Sequence, residues 1–146
     1  MTPLPMMRER RVLVLDDDEK RHDWFREQAD ALNWELHHAW TVAEAIESLN
    51  RNDFDLVFLD HDLEIGRLRL GPPYNWGPNG TVAARHIAGM AAKPPHVHIH
   101  SVNRGGATEM ESILRAAAVT VTRAEFGCFS LPIPPAANPL RSRRRA

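Results

Sequence analysis

Residues 55–63 read DLVFLDHDL, and the fold of the chain turns on them. Leu56, Val57, Phe58 and Leu59 form an unbroken apolar run, the pattern of a short strand covered on both faces. The run ends in Asp60 and Asp62, with His61 between them. Side chains two apart on an extended chain point the same way, so these two carboxylates are expected side by side. Like charges held close repel, and burying them is costly unless something positive joins them. The strand end therefore asks for a cation.

The chain on either side repeats the theme. Residues 12–15 (VLVL) are a second buried strand, followed by Asp16, Asp17 and Asp18. Residues 19–32 place Trp24, Phe25, Gln28 and Leu32 at helical spacing, and residues 35–40 make a weaker strand. Thr41 opens TVAE, a capping box in which Thr41 caps a helix and Glu44 reaches back. Val42, Ala45, Ile46 and Leu49 form that helix's inner stripe. Beyond the central strand, residues 64–79 (EIGRLRLGPPYNWGPN) carry three prolines and three glycines. They predict a long loop, a length that goes with function or disorder. A helix over 80–92 is stopped by Pro94 and Pro95, then come a strand over 96–100, a helix over 107–118 and a strand over 119–122. The domain is expected to span 11–126. Residues 127–146, Pro-rich and then basic, predict a poorly ordered tail with no fifth helix. Five short strands alternating with four helices predict an α/β, doubly wound parallel sheet.

With 146 residues, 43% hydrophobic and 25% charged, the chain has the size and composition of one soluble globular domain. A formal net charge of −1 supplies no basic field for nucleic acid. No apolar run approaches the roughly 20 residues of a membrane span. The start, MTPLPMMRERR, lacks the apolar core and cleavage site of a secretory signal. One cysteine, Cys128, permits no internal disulfide and reads as an incidental thiol. These features predict a cytoplasmic protein.

Open parallel sheets bind ligands at the carboxyl ends of their strands. Every chemically suggestive residue falls at such an end: Asp16, Asp17 and Asp18 after the first strand, Asp60, His61 and Asp62 after the third, His100, Ser101 and Asn103 after the fourth, Arg123 after the fifth. Carboxylates converging there favour a hard divalent ion, Mg²⁺ or Mn²⁺, with Asp60 and one or both of Asp16 and Asp17 as ligands. Asp62 is a further ligand or contributes only its carbonyl. The plainer reading of Asp16, Asp17 and Asp18, strongest for Asp18, is that these acids cap the following helix. In HVHIHS, His96, His98 and His100 share one strand face. His96 and His98 are expected in the core, and His100, nearest the strand end, as a general acid or base. Ser101 points the opposite way, toward a phosphoryl oxygen. Asn103, Arg104 and a Gly105-Gly106 turn lead into the next helix, whose N–H groups suit an anion. His61 either lines the site or bonds into the scaffold. In the loop, Tyr74 and Trp76 are placed to stack on a base, and Arg67 and Arg69 to meet phosphate, unless they are ordinary loop anchors and solvated charges. The terminal RSRRRA reads as a solvated charge run.

The apolar-DD motif after strand one, FDLVFLDHDL, NGTVAARHIA and HIHSVN resemble the receiver fold of response regulators over roughly residues 11–126. The resemblance implies strand order 2-1-3-4-5. It places metal-binding acids at Asp16 and Asp17, a phosphoacceptor at Asp60, a hydroxyl at Ser101 and a cation, loosely, at Arg123. Receivers carry Lys at the last position, and TRAEF departs from that pattern. LDHDL, HSxN, LDDD and the R-x-x-F formed by Arg123 and Phe126 are similar to the narrower group called cyclic-phosphate-processing receiver domains. That resemblance implies a metal-dependent phosphoesterase acting on cyclic phosphates or cyclic nucleotides. Asp60, His100, His61 and Ser101 would then act catalytically, and Asn103, Arg104 and Arg123 would hold the substrate. The alternative is a stand-alone receiver phosphorylated on Asp60. With no fifth helix, one sheet face is left for the tail or for a second subunit in a homodimer.

Overall fold

The computed structural model describes residues 10–63 and 79–131. Nine elements follow in order: β1 (Arg11–Leu15), α1 (Glu19–Leu32), β2 (Glu35–Ala39), α2 (Val42–Arg51), β3 (Leu56–Leu59), α3 (Gly80–Gly89), β4 (His96–Ile99), α4 (Arg104–Ala116) and β5 (Thr120–Arg123). Every strand pairing is parallel and the order is β2-β1-β3-β4-β5, the doubly wound sheet expected. Arg67, Arg69, Tyr74, Trp76 and the basic RSRRRA end lie outside the described residues.

The central strands are apolar on both faces because both faces are covered. Leu13, Leu15, Val57, Leu59, Val97 and Ile99 pack with Ala45 and Leu49 of α2, Ala83 and Ile87 of α3, and Met110 and Leu114 of α4. Val12, Val14, Leu56 and Phe58 pack on the other side with Phe25 and Ala29 of α1 and with Trp34. Helix ends obey local chemistry. The Asp18 carboxylate accepts the Arg21 N–H at 3.1 Å, and Asn33 closes α1 in the left-handed region at φ 58°. The buried stripe of α1 is His22, Phe25 and Ala29, while Trp24 and Leu32 are half-buried. It is rotated from the expected Trp24–Phe25–Gln28–Leu32 stripe because His22 finds polar partners that let it go inside. Thr41 Oγ1 accepts the Glu44 N–H at 3.2 Å, and the Glu44 carboxylate accepts from the Thr41 hydroxyl at 3.1 Å, so the box closes through side chains. Helix α4 starts at Arg104, three residues before the expected 107, because Asn103 Oδ1 accepts the Gly106 N–H at 2.9 Å. Gly105 and Gly106 are therefore in its first turn and do not form a separate turn.

No helix follows β5 among the described residues. The α1 side is completed instead by Phe126, Phe129 and Leu131, which pack on the Phe25–Phe58 cluster. Phe129 stacks on Phe58 with ring centroids 6.0 Å apart and tilts against His98 at 4.5 Å. Two residues assigned from sequence to the tail, Phe129 and Leu131, thus cover that face. Cys128, between Phe126 and Phe129, is exposed and free.

His96 and His98 are both buried, as expected, and share Thr122. His98 Nε2–H donates to the Ala124 carbonyl at 3.3 Å, so its Nδ1 accepts from the Thr122 hydroxyl at 2.8 Å. His96 Nε2–H in turn donates to Thr122 Oγ1 at 2.7 Å. The chain closes with both imidazoles neutral. Burial, then the nearby His100, holds His98 down to about 4; burial, then Arg10, does the same for His96.

Two predictions follow from this packing. Phe129→Ala removes half of the substitute for a fifth helix, and a urea melt is expected to show about 2 kcal/mol less stability. Unchanged stability would make the segment a bystander. For the histidines, the unfolded chain titrates near 6.5, so between that pH and about 4 it binds more protons than the folded chain, and stability falls as pH falls. Thermal melts are expected to drop by about 5 °C or more between pH 7 and 5. Long-range ¹H–¹⁵N correlation spectra at pH 5.5 are expected to show both rings neutral, and charged rings at that pH would contradict the bonding chain.

Candidate active site

Register builds the site. Leu15 of β1 pairs with Leu59 of β3, and Leu59 pairs with Ile99 of β4. The next residue on each strand is Asp16, Asp60 and His100. The ladder runs one step beyond the strands: the Asp60 N–H donates to the Leu15 carbonyl at 3.0 Å and the His100 N–H to the Leu59 carbonyl at 3.0 Å. The three side chains end up within 4.8 Å of one another at their ligating atoms, all buried. They are the group with metal-holding geometry among the described residues, and it does not include Asp17, Asp62 or His61.

His100 is fully buried, and its Nε2–H donates to Asp16 Oδ2 at 2.7 Å. Its Nδ1, also buried, has no hydrogen-bond partner, and the ring lies among Phe25, Phe58 and Phe126. Asp16 Oδ1 accepts the Asp18 N–H at 2.9 Å, and Asp60 Oδ1 accepts the His61 N–H at 2.9 Å. Burial alone would raise the Asp16 carboxyl, but the His100 bond and charge, the Asp18 N–H and Arg21 outweigh it and hold it below its usual value. Asp60 goes the other way, pushed up to about 6 by burial and by the Asp16 carboxylate, against the pull of His100, the His61 N–H and Arg21. The more open of the two carboxyls is thus the one short of positive partners.

The sequence reading missed Arg21. Its Nη1 lies 3.4 Å from Asp16 Oδ2 and 3.7 Å from Asp60 Oδ2, which makes it the cation at the strand end. The signal was its place on α1, three residues after the Asp18 cap, which turns it back over the strand ends. His22 was missed too. Its Nε2–H donates to the Asp16 carbonyl at 2.7 Å, so its Nδ1 accepts from His38 Nδ1 at 2.6 Å. Trp40 stacks on His22 at 4.1 Å and on His38 at 5.5 Å. Burial, then His22, holds His38 down to about 4.

The remaining predicted residues separate into two groups. His61 Nδ1–H donates to Asp62 Oδ1 at 2.7 Å, and Asn103 Nδ2 donates to the same oxygen at 3.1 Å. The Ser101 hydroxyl accepts the Asn103 N–H at 3.0 Å. His61, Asp62, Ser101 and Asn103 therefore form one rim next to Asp60. Glycine is required where this rim meets the helices. A Cβ on Gly80 would overlap the Asp60 carbonyl, and one on Gly106 would overlap the His61 ring. Asp17 and Asp18 lie half-buried on the loop into α1, Asp18 as its cap. Arg104 is exposed at the start of α4, whereas Arg123 is engaged elsewhere: its Nη1 donates to Thr108 Oγ1 at 2.9 Å, and its Nη2 to the Arg104 carbonyl at 3.1 Å. Arg123 ties β5 to α4, and no bond joins it to Asp16 or Asp60.

Comparison with curated proteins gives no match. Among solved structures, the chain is similar to the receiver domain of Francisella response regulator 1452 (20% identity, 79% of this chain and 84% of that one, TM-score 0.56). It is also similar to the BeF3-activated N-terminal receiver domain of Klebsiella pneumoniae RstA (17%, 92% and 95%, TM-score 0.56). A third is the receiver domain of sensor histidine kinase PA1611 from Pseudomonas aeruginosa PAO1, solved with a magnesium ion in its active-site cleft (13%, 93% and 93%, TM-score 0.57). At these identities the likeness shows the fold. The model of the cyclic-phosphate processing receiver domain matches residues 11–116, from the first strand through the helix that follows HIHSVN. On that match, over most of its length, the chain belongs to the cyclic-phosphate processing receiver domain family.

Proposed function

We propose that the chain is a metal-dependent phosphoesterase acting on cyclic phosphates or cyclic nucleotides at the rim of Asp16, Asp60 and His100. The observation that carries this reading is His100. A signalling receiver has no evident need for a fully buried imidazole bonded to one of its acids, whereas hydrolysis needs proton-handling groups at that edge. The family's name points the same way.

The residues fit a divalent ion. Two buried carboxylates share one edge, and Asp60 is pushed up to about 6 by burial and its acidic neighbour, a cost that a cation relieves. Asp16 and Asp60 would hold Mg²⁺ or Mn²⁺. The magnesium site of the sensor-kinase receiver domain supports this reading. A bound ion supplies polarisation of a phosphoryl oxygen and a more acidic water. The protein's own groups do the rest. His100 orients Asp16 and holds a proton at Nε2. His61, fixed through Nδ1 by Asp62, leaves Nε2 for proton transfer. Ser101 and Asn103 offer a hydroxyl and an amide to phosphoryl oxygens. Arg104, in the first turn of α4, adds positive charge beside that rim.

A second reading keeps Asp60 as a phosphoacceptor, because it ends the third strand of a receiver fold whose solved relatives are signalling domains. Two measurements separate them. With Mn²⁺ or Mg²⁺, a panel of 2′,3′-cyclic phosphates and cyclic dinucleotides is expected to show turnover that a chelator abolishes and that Asp60→Asn lowers about 100-fold or more. No turnover with metal bound, together with a one-phosphate mass gain from acetyl phosphate that Asp60→Asn removes, would establish the signalling reading instead.

A further inference from the structure

We infer that Arg21 is a built-in competitor for the divalent ion, and that once displaced from the carboxylates its guanidinium becomes the phosphoryl-binding cation of the site. The inference rests on the metal-dependent reading above and assigns a role that no other residue at this edge fills. The cation expected from sequence for the phosphoryl group is Arg123, after strand five. That side chain is held by Thr108, Glu111 and the Arg104 carbonyl, on α4 and away from the acids. The guanidinium that does reach both acids comes from α1.

Three features of Arg21 carry the argument. First, a single nitrogen, Nη1, faces Asp16 Oδ2 at 3.4 Å and Asp60 Oδ2 at 3.7 Å. Asp16 Oδ2 also accepts from His100 Nε2–H at 2.7 Å, and the other oxygen of each carboxylate accepts a backbone N–H, from Asp18 and from His61. A divalent ion held by Asp16 and Asp60 would draw on these carboxylates too, so guanidinium and metal would compete for them. Second, the contacts are long and not bidentate, which makes the grip weak and displacement easy. Third, among the described residues Nε and Nη2 make no hydrogen bond, and the side chain is 28% exposed, so donors are in hand for an anion arriving from solvent. The guanidinium lies 5.3 Å from the centre of the Phe126 ring, a face on which it can turn without losing its cation–π contact. Arg21 thus neutralises the acids while the ion is absent and meets substrate charge once the ion has arrived.

The test compares the intact chain with Arg21→Gln and Arg21→Lys, each first checked for an unchanged thermal melt. Mn²⁺ binding is read from the electron paramagnetic resonance signal of the free ion, and inorganic phosphate binding to the Mn²⁺-loaded protein by calorimetry. Arg21→Gln is expected to bind Mn²⁺ about tenfold more tightly and phosphate about tenfold more weakly, and Arg21→Lys to retain most of the phosphate affinity. Equal Mn²⁺ and phosphate affinities in the intact chain and Arg21→Gln would overturn the inference while leaving the metal-dependent reading in place. A folded intact chain that takes up no Mn²⁺ would overturn that reading, and the inference with it.

Discussion

The parallel pairing of β1, β3 and β4 is the constraint on which everything else depends. It sets Leu15, Leu59 and Ile99 abreast and delivers the next residue of each strand to one edge. Asp16, Asp60 and His100 meet because three short buried strands stop in register, without a loop to gather them. A slip of one residue in any pairing would turn a carboxylate or the imidazole into the opposite layer. The apolar content of the strands is therefore also the positioning device of the site, and that makes dense packing on both sheet faces a functional requirement.

The edge is electrostatically unbalanced by design of its surroundings. Asp16 has His100, the Asp18 N–H and Arg21 in its favour and stays low, whereas Asp60 has burial and Asp16 against it and rises to about 6. The asymmetry follows from which oxygens the backbone satisfies and where the imidazole sits. It is a condition under which a small hard cation is welcome. The second rim, with His61 fixed by Asp62 and Asp62 by Asn103, is polar and ordered by contrast, and the absence of a side chain at Gly80 and Gly106 is what lets it come so close to the helix starts.

Much of this was legible in the amino-acid order. Continuous apolar runs ending in acids announced buried parallel strands and an acidic edge, and Thr41 announced its helix by a local rule. The alternation in HVHIHS placed His96 and His98 inside. What was not legible depended on partners far apart in the chain. Nothing near Arg123 indicates that Thr108 and Glu111 will hold it, and nothing near Arg21 indicates that Asp60 will be within reach. The burial of His22 was not legible because its partners, the Asp16 carbonyl and His38, lie outside its own helix. The start of α4 was read late because two glycines in succession suggest a turn, and the cap by Asn103 overrides that weak preference.

The aromatic segment after β5 does more than fill space. Phe126 touches Trp24 on α1, lies against the buried ring of His100 and forms the surface under the Arg21 guanidinium. A short stretch of chain without helical stiffness is thereby in mechanical contact with both the imidazole and the movable charge of the acidic edge. A change in how that segment seats is therefore one side chain away from both His100 and Arg21.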